Sequence, residues 1–241
     1  MPRRRIDSLL VTKGLVESRA RAQALIMAGE VLVDGKVVNK SGVLVAEQAN
    51  ITVIEPPPFV GRGGLKLDYA LDRFGIDVSG MVAADIGAST GGFTDCLLQR
   101  GASRIYAIDV GYGQLDYRLR QDSRVVVMER VNARYPLTLP EKVDLATIDV
   151  SFISVTMVIP PVVQLLKEIA DVLVLVKPQF EAKREEVGKG GVIKQPAVHA
   201  RVLGRFIAWM TGQHVRLGGL IASPILGDAG NKEFFAWLKL T

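Results

Sequence analysis

The chain has 241 residues, of which 49% are hydrophobic, and 30 Lys and Arg against 25 Asp and Glu give a formal net charge of +5. This length allows one full α/β domain with a small additional domain, and the modest basic excess suits a polyanionic partner without requiring one. One cysteine excludes an internal disulfide, and with only two histidines beside it we expect no His/Cys metal site.

No apolar run reaches the roughly 18 residues that a membrane-spanning helix needs. The basic start of the chain is not followed by the apolar segment of a signal peptide. We therefore expect a cytoplasmic protein that has no membrane contact, and we expect it to be a monomer.

Residues 1–54 are predicted to form a small α+β domain. Apolar residues at helical spacing near the start predict one helix, and Ser18 can cap a second helix over residues 20–27. The Asp-Gly pair at residues 34–35 lies between two Val-rich runs and predicts a hairpin with a type I′ turn. Residues 51–53 predict one more strand.

Three motifs follow one another in this domain: Arg-Ile-Asp-x-x-Leu, Ser-Arg-x-x-Ala-x-x-Leu-Ile and Gly-x-Val-x-Val-Asp-Gly-x-Val. Their order resembles the small RNA-binding domain named after ribosomal protein S4. The resemblance implies that the first two helices bind structured RNA through phosphates and shape. On charge alone, an ordinary solvated helix face is the other interpretation. The candidate RNA contacts are Arg3, Arg4, Arg5, Arg19 and Arg21.

Residues 55–60 contain three prolines and are predicted to be a semi-rigid linker. From residue 61 to residue 241, apolar runs alternate with helical patterns, which predicts an α/β fold with a doubly wound, Rossmann-like parallel sheet. The continuous apolar run at residues 172–176 suits a central strand. Helices are predicted over residues 162–169 and 197–210.

A Gly-rich loop is the first part of the ligand site that we predict in this second domain. An apolar strand ends in Asp85, small residues follow, and a helix begins near Phe93, so the loop lies at the carboxyl edge of the sheet, where ligands bind. The spacing fits neither a dinucleotide loop nor a phosphate loop. The pattern Asp-x-Gly-x-x-x-Gly-Gly instead resembles the first motif of S-adenosylmethionine (SAM) methyltransferases. The alternative is a tight turn that binds nothing.

A second strand ends in Asp109, about 20 residues after Gly87, where a ribose-binding carboxylate is expected. Val131 and Asn132 are weaker candidates for the adenine. The full set of candidate SAM contacts is Asp85, Gly87, Ala88, Ser89, Thr90, Gly91, Gly92, Phe93, Asp109, Val131, Asn132 and Asp149.

Five further motifs resemble the TlyA group of FtsJ-like methyltransferases. They are Gly-Arg-Gly-Gly-Leu-Lys-Leu at residues 61–67, the Gly-rich loop at 85–95, Asp-Val-Ser-Phe-Ile-Ser at 149–154, Lys-Pro-Gln-Phe-Glu at 177–181 and Gly-Asn-Lys-Glu-Phe at 230–234. The resemblance implies a SAM-dependent 2′-O-ribose methyltransferase of ribosomal RNA, acting on cytidine. It also implies a catalytic tetrad, which maps to Lys66, Asp149, Lys177 and Glu233.

The chemistry needs such a set because a ribose 2′-hydroxyl must lose its proton as it attacks. A lysine accepts a proton only as the neutral amine, which burial and a neighbouring cation favour. We favour Lys177 as the base and Lys66 as the group that positions the 2′-oxygen, although the sequence also permits the reverse. Asp149 and Lys177 taken singly could be solvated charges at strand ends.

Two other functions stay open at this point. One is a non-catalytic RNA-binding factor for ribosome assembly, and the other is a hemolysin or cytotoxin, a label that members of the family carry. Two more basic residues are candidate RNA contacts. They are Arg62 and Lys189. Lys189 lies in a Gly-rich stretch, and the alternative interpretation of this stretch is an ordinary solvated loop.

Overall fold

The computed structural model describes residues 2–54, 57–213 and 215–240, and all of their side chains except that of Lys189. The chain divides between Pro57 and Pro58 into two compact units. Part of the expected linker, residues 55–56, lies outside the described residues. The linker was expected to run to residue 60, but Phe59 is buried and the Val60 N–H donates to Asp95 Oδ2 at 2.8 Å, so residues 58–60 belong to the second unit.

The first unit contains two helices and five short strands. These are β1 (Arg3–Arg5), α1 (Ile6–Thr12), α2 (Arg19–Met27), β2 (Val31–Val33), β3 (Lys36–Val37), β4 (Leu44–Ala46) and β5 (Ile51–Val53). Strand β1 pairs with β4, while β2 pairs with both β3 and β5, and all of these pairs are antiparallel. The sequence analysis did not predict β1 or β4.

Local sequence explains the turns of this unit. The Ser18 side chain accepts a hydrogen bond from the Arg21 N–H at 3.2 Å and so caps α2. Asp34 and Gly35 have φ values of 49° and 78°, and positive φ at both positions is what a type I′ hairpin turn requires. The helices pack against strands of both small sheets through fully buried side chains such as Ile6 and Ile26.

The second unit alternates strands with helices. Its elements are α3 (Arg62–Phe74), β6 (Val82–Ile86), α4 (Gly92–Gln99), β7 (Arg104–Ile108), α5 (Tyr117–Gln121), β8 (Val125–Met128), β9 (Val143–Ile148), α6 (Ile159–Val163), β10 (Leu166–Val176), α7 (Pro178–Glu181), α8 (Pro196–Met210), β11 (Arg216–Ala222) and β12 (Phe234–Leu240). Short 3₁₀ turns cover Val155–Met157, Arg184–Glu186 and Lys189–Gly191.

These strands form one seven-stranded sheet in the order β11-β12-β10-β9-β6-β7-β8. Strands β6 to β10 are parallel to one another, whereas β12 is antiparallel to β10 and β11 is antiparallel to β12. The strand order reverses direction at β6, which lies between β7 and β9. Ligands of open α/β sheets bind at such a switch point, outside the carboxyl ends of the strands.

Helices cover both faces of the sheet, which confirms the doubly wound α/β prediction. Adjacent strand residues alternate between the faces, so Ala83 lies in one core and Ala84 in the other. Helices α3, α4 and α5 complete the first core, and Val162 of α6 and Phe206 of α8 lie in the second.

The prediction of a helix over residues 162–169 was wrong. Helix α6 ends at Val163, and the eleven-residue strand β10 begins at Leu166. Leu166 pairs with Val143 of β9 and Ala170 with Leu240 of β12, so pairing on both sides of β10 outweighs the local helix preference. Within the three described stretches, every helix is too short or too polar to span a bilayer.

Candidate active site

The Gly-rich loop after β6 uses backbone positions that only glycine can occupy. Gly87 has φ of 86°, and a Cβ there would lie 2.3 Å from the carbonyl oxygen of Asp149. Gly91 has φ of 101°, and its Cβ would lie 2.2 Å from Leu119 Cδ1. The first glycine therefore lets the loop after β6 meet the end of β9 directly, and the second lets α4 begin close to α5.

A cavity of about 360 Å³ opens beside this loop, at the carboxyl ends of β6, β7 and β9. Asp109 forms part of its wall, and the carboxylate accepts hydrogen bonds from Ser89 N–H at 2.8 Å and Gly111 N–H at 2.6 Å. A carboxylate has about four acceptor positions, so two remain for a ligand. The candidate SAM contacts that line this first cavity are Gly87, Ser89, Asp109, Val131, Asn132 and Asp149.

A second cavity of about 280 Å³ shares Gly87, Ser89, Asp149 and Ser151 with the first. The second cavity is also lined by Lys66, Lys177 and Glu233, so the whole predicted tetrad faces one space. The structure thus divides the candidate SAM residues. Ala88, Thr90, Gly92 and Phe93 line the second cavity alone, and Gly91 lines neither.

The tetrad forms two separate lysine–carboxylate ion pairs. The buried Lys66 Nζ donates to the buried Glu233 Oε2 at 2.6 Å. Lys177 Nζ lies 2.6 Å from Asp149 Oδ1, a charge contact whose angles fall outside hydrogen-bond geometry, and it donates to Ser151 Oγ at 3.0 Å. Each lysine therefore has its own carboxylate, and the cavity wall carries balanced charge.

Asp85 does not contact either cavity, which corrects its assignment as a SAM contact. The side chain is fully buried and accepts hydrogen bonds from Thr94 Oγ1 at 2.7 Å and Thr147 Oγ1 at 2.9 Å. Burial raises the pKa of the Asp85 carboxyl to about 6, although the two threonine hydroxyls act in the opposite direction. Asp85 therefore joins β6, β9 and α4 beneath the Gly-rich loop.

The sequence analysis missed residues that hold the tetrad in place. Glu181 of α7 accepts hydrogen bonds from Ser154 Oγ at 2.6 Å and from Val155 N–H at 2.8 Å, and burial raises the pKa of its carboxyl. Glu181 thereby fastens the segment that follows Lys177 to the segment that follows Asp149. Its position within the Lys-Pro-Gln-Phe-Glu motif was the available signal.

A turn over residues 227–231 positions Glu233 in the same way. A Cβ on Gly227 would lie 2.3 Å from Glu233 Oε1, so a side chain there would displace this carboxylate from its position. The buried Asn231 accepts from Ile193 N–H and donates to the Gly191 carbonyl oxygen, each at 2.9 Å. Asn231 therefore pins the Gly-rich stretch that contains Lys189 to the turn that carries Glu233.

Apart from Lys189, the predicted RNA-binding residues lie on the surface. Arg62 forms an ion pair with the exposed Asp228, and both residues line the second cavity. The backbone of Lys189 forms part of a 3₁₀ turn, but its side chain lies outside the described structure. The exposed arginines of the first unit are Arg3, Arg4, Arg5, Arg19 and Arg21. Among the described residues, no group of three or more His, Cys, Asp and Glu side chains could hold a metal ion.

Comparison with known proteins identifies both parts of the chain. A family described as "FtsJ-like methyltransferase" matches residues 59–240, and the S4 domain matches residues 4–51. YqxC of Bacillus subtilis (strain 168), named as a candidate rRNA methyltransferase, is 48% identical over 241 residues, which cover 97% of this chain and 85% of the relative. The 16S/23S rRNA (cytidine-2′-O)-methyltransferase TlyA of Mycobacterium tuberculosis (strain CDC 1551 / Oshkosh) is 44% identical over 245 residues, covering 98% of this chain and 90% of the relative.

A solved structure from Streptococcus thermophilus, described as that of a hemolysin candidate, is also similar. Its sequence is 42% identical, the TM-score is 0.76, and the match covers 100% of this chain and 90% of that chain. The similarity therefore extends through both units.

As the pH rises, the second unit of the Asp85→Asn variant should become more stable relative to that of the wild type. The folded state holds the Asp85 proton more tightly than the unfolded state, because its pKa of about 6 exceeds the usual value near 4. Between pH 4 and pH 7, the unfolding free energy of the wild type should therefore fall relative to Asp85→Asn, by about 3 kcal/mol at most. Urea unfolding followed by the fluorescence of Trp209 and Trp237, both in the second unit, measures this difference.

Asp144→Asn is the matched control for that measurement. Burial opposes ionisation of Asp144, but the Lys167 ammonium and the Val82 N–H outweigh it and lower the pKa of the carboxyl. The stability advantage of the wild type over Asp144→Asn should therefore change little between about pH 5 and pH 7 and should be lost only as the pH falls below about 4. A pH-independent difference for Asp85→Asn would contradict the raised pKa.

Replacing Asn231 by Ala should release the stretch around Ile193. Loss of two hydrogen bonds of about 1 kcal/mol each should speed amide hydrogen exchange at Ile193 roughly 30-fold. Asp228→Asn, in the same turn, should leave this exchange unchanged because Asp228 pairs with Arg62 instead. Slow exchange at Ile193 in Asn231→Ala would show that other contacts hold the stretch.

Proposed function

Because the chain belongs to the FtsJ-like methyltransferase family, we propose that it transfers a methyl group from SAM to a ribose 2′-hydroxyl of ribosomal RNA. The observation that carries this proposal is the pair of lysine–carboxylate contacts in the second cavity, beside the first cavity and its Gly-rich loop. The name of the Mycobacterium tuberculosis relative specifies cytidine-2′-O methylation, and we propose cytidine as the target here.

The first cavity fits SAM. The backbone around Gly87 and Ser89 is open to the methionine part, and Asp109 retains acceptor positions for ribose hydroxyls. Val131 and Asn132 line the cavity where we place the adenine. Bound SAM supplies an electrophilic methyl group on a sulfonium centre. Asp149 lines both cavities, and the proposed base, Lys177, lies beside it. The base is therefore close to the place where cofactor and substrate would meet.

We assign the base to Lys177. Its Nζ lies beside Asp149, which lines both cavities, whereas Lys66 is held by its hydrogen bond to the buried Glu233. The neutral Lys177 amine would take the proton of the 2′-hydroxyl as the new O–C bond forms and the methyl–sulfur bond breaks. Lys66 would hold the 2′-oxygen in line with the methyl carbon, and alignment supplies much of the rate.

A non-catalytic RNA-binding role in ribosome assembly is the second candidate. It would use the S4 domain but would give no purpose to four charged residues gathered at one cavity, since bringing charges out of water is costly. A hemolytic role is suggested by the name of the Streptococcus thermophilus structure. Nothing in the described arrangement of the site supports membrane lysis. With ribosomal RNA as the substrate, we place the activity in the cytoplasm, and we propose that the protein acts as a monomer.

Asp109→Ala should weaken SAM binding without unfolding the second unit. The lost hydrogen bond to a charged acceptor is worth about 1.5–3 kcal/mol, or roughly 10- to 150-fold in affinity. Isothermal calorimetry with SAM measures this change. Asp77→Ala, an exposed acid that lines neither cavity, is the control and should bind SAM as the wild type does. Equal affinities of the two variants would remove Asp109 from the cofactor site.

Methyl transfer to isolated ribosomal subunits, with labelled SAM and mapping of methylated riboses, tests the function together with the base. The wild type should produce 2′-O-methylated ribose, and its rate should rise with pH because only the neutral amine accepts the proton. Lys177→Ala should lose about 10²–10⁴-fold in rate while still binding SAM and RNA.

Lys177→Arg separates a base from a charge. The guanidinium keeps the positive charge beside Asp149 but does not accept a proton, so this variant should be as inactive as Lys177→Ala. Near-wild-type turnover in Lys177→Arg would leave Lys177 as an electrostatic group and move the base to Lys66. A wild type that binds SAM and ribosomal subunits but transfers no methyl group would favour the assembly factor.

A further inference from the structure

A buried carboxylate organises the basic surface of the first unit. Asp7 of α1 has no solvent-exposed surface. It accepts from Arg5 Nε at 3.1 Å and Nη2 at 2.9 Å, from Arg19 Nη2 at 3.0 Å and from Gln23 Nε2 at 3.2 Å. The hydrogen bond from Arg5, with those from Arg19 and Gln23, holds the pKa of the Asp7 carboxyl well below its usual range despite burial.

The two arginines on Asp7 remain available to a ligand. Their side chains are 49% and 56% exposed, and both Nη2 atoms lie within 3.0 Å of the same oxygen, Oδ2. Arg5 comes from β1 and Arg19 begins α2, so Asp7 joins guanidinium groups from two different elements. A guanidinium has five N–H donors, and Asp7 uses two from Arg5 and one from Arg19, which leaves most of them free.

We propose that Asp7 is a positioning residue that presents Arg5 and Arg19 as one fixed site for the phosphate oxygens of structured RNA. This inference rests on the proposed ribosomal RNA substrate. Planar guanidinium groups match phosphate oxygens in pairs, and groups already held in place lose less conformational freedom on binding. Two arginines against one aspartate also leave the cluster positive.

The contrast with Arg4 defines the control. Arg4 forms an ion pair with Glu47, but 53% of the Arg4 side chain and 32% of the Glu47 side chain are exposed. Such an exposed pair fixes geometry weakly. Asp7→Asn and Glu47→Gln therefore remove one negative charge each from beside arginines of the same strand, and only the first removes a buried anchor.

Binding of the full chain to isolated ribosomal subunits separates the two variants, because the proposal predicts that only Asp7→Asn lowers the affinity. If net charge alone sets affinity, both substitutions should tighten binding, because each adds one unit of positive charge. If Asp7 positions the arginines, Asp7→Asn should weaken binding roughly tenfold while Glu47→Gln is equal to or tighter than wild type. Tighter binding by Asp7→Asn would overturn the proposal.

Arg19→Lys decides the question if Asp7→Asn does not fold. Lysine keeps the charge on an exposed side chain but cannot bind Asp7 and a phosphate with one rigid fork. Arg19→Lys should therefore bind more weakly than the wild type, yet keep the salt dependence of the wild type, which Arg19→Ala should reduce. Affinity of Arg19→Lys equal to wild type would also overturn the proposal.

The two levels of inference fail in different ways. A wild type that does not bind ribosomal subunits would refute the proposed function, and the role of Asp7 with it. A wild type that binds, with variants that follow charge alone, would refute only the role of Asp7. SAM binding should be unchanged in every variant, because each substitution lies in the first unit and the first cavity lies in the second.

Discussion

Four charged side chains at one edge of a sheet must be neutralised in pairs, and much of the second unit serves that requirement. A buried charge without a partner costs several kcal/mol, so the buried Lys66 and Glu233 stabilise each other, and the partly buried Lys177 and Asp149 form a second pair. Lys66 lies in α3 and Glu233 immediately precedes β12, so their hydrogen bond joins residues 167 positions apart in the chain. This hydrogen bond therefore links α3 to the start of β12, which is itself held in the sheet by pairing with β10 and β11.

The residues around the tetrad hold its members at fixed positions. Gly227 leaves space for the Glu233 carboxylate, and Gly87 allows the loop after β6 to lie against the end of β9, from which Asp149 follows. Glu181 fastens α7, which follows Lys177, to the segment after Asp149. A 2′-hydroxyl has to meet a base and a methyl group in one line, and small errors of placement reduce such rates strongly. Rigid contacts around the four side chains keep such errors of placement small.

The sequence allowed prediction of the doubly wound fold and the family, both of which are confirmed, because strand-end acids and a Gly-rich loop are local patterns. It placed Asp149 and Lys177 at the same sheet edge for the same reason. The sequence did not reveal that the Asp85 side chain points into the protein. An acid at the end of a strand gives the same sequence pattern whether it contacts a ligand or two buried threonines. The start of β10 and the strand β1 were missed because pairing with distant strands, not local preference, makes them extended.

The two units treat charge in opposite ways. In the second unit the lysines and carboxylates are balanced and largely buried, which suits a proton transfer that must occur away from water. In the first unit one buried carboxylate holds two arginines that stay half exposed, so the net charge is positive and faces solvent. An exposed, positive and fixed surface favours a polyanion whose phosphates are regularly spaced, whereas a balanced cavity gives little attraction to the backbone of RNA. From the proposed roles of the two units, we expect that affinity for RNA and chemistry on RNA can be changed separately, each by substitution within a different unit.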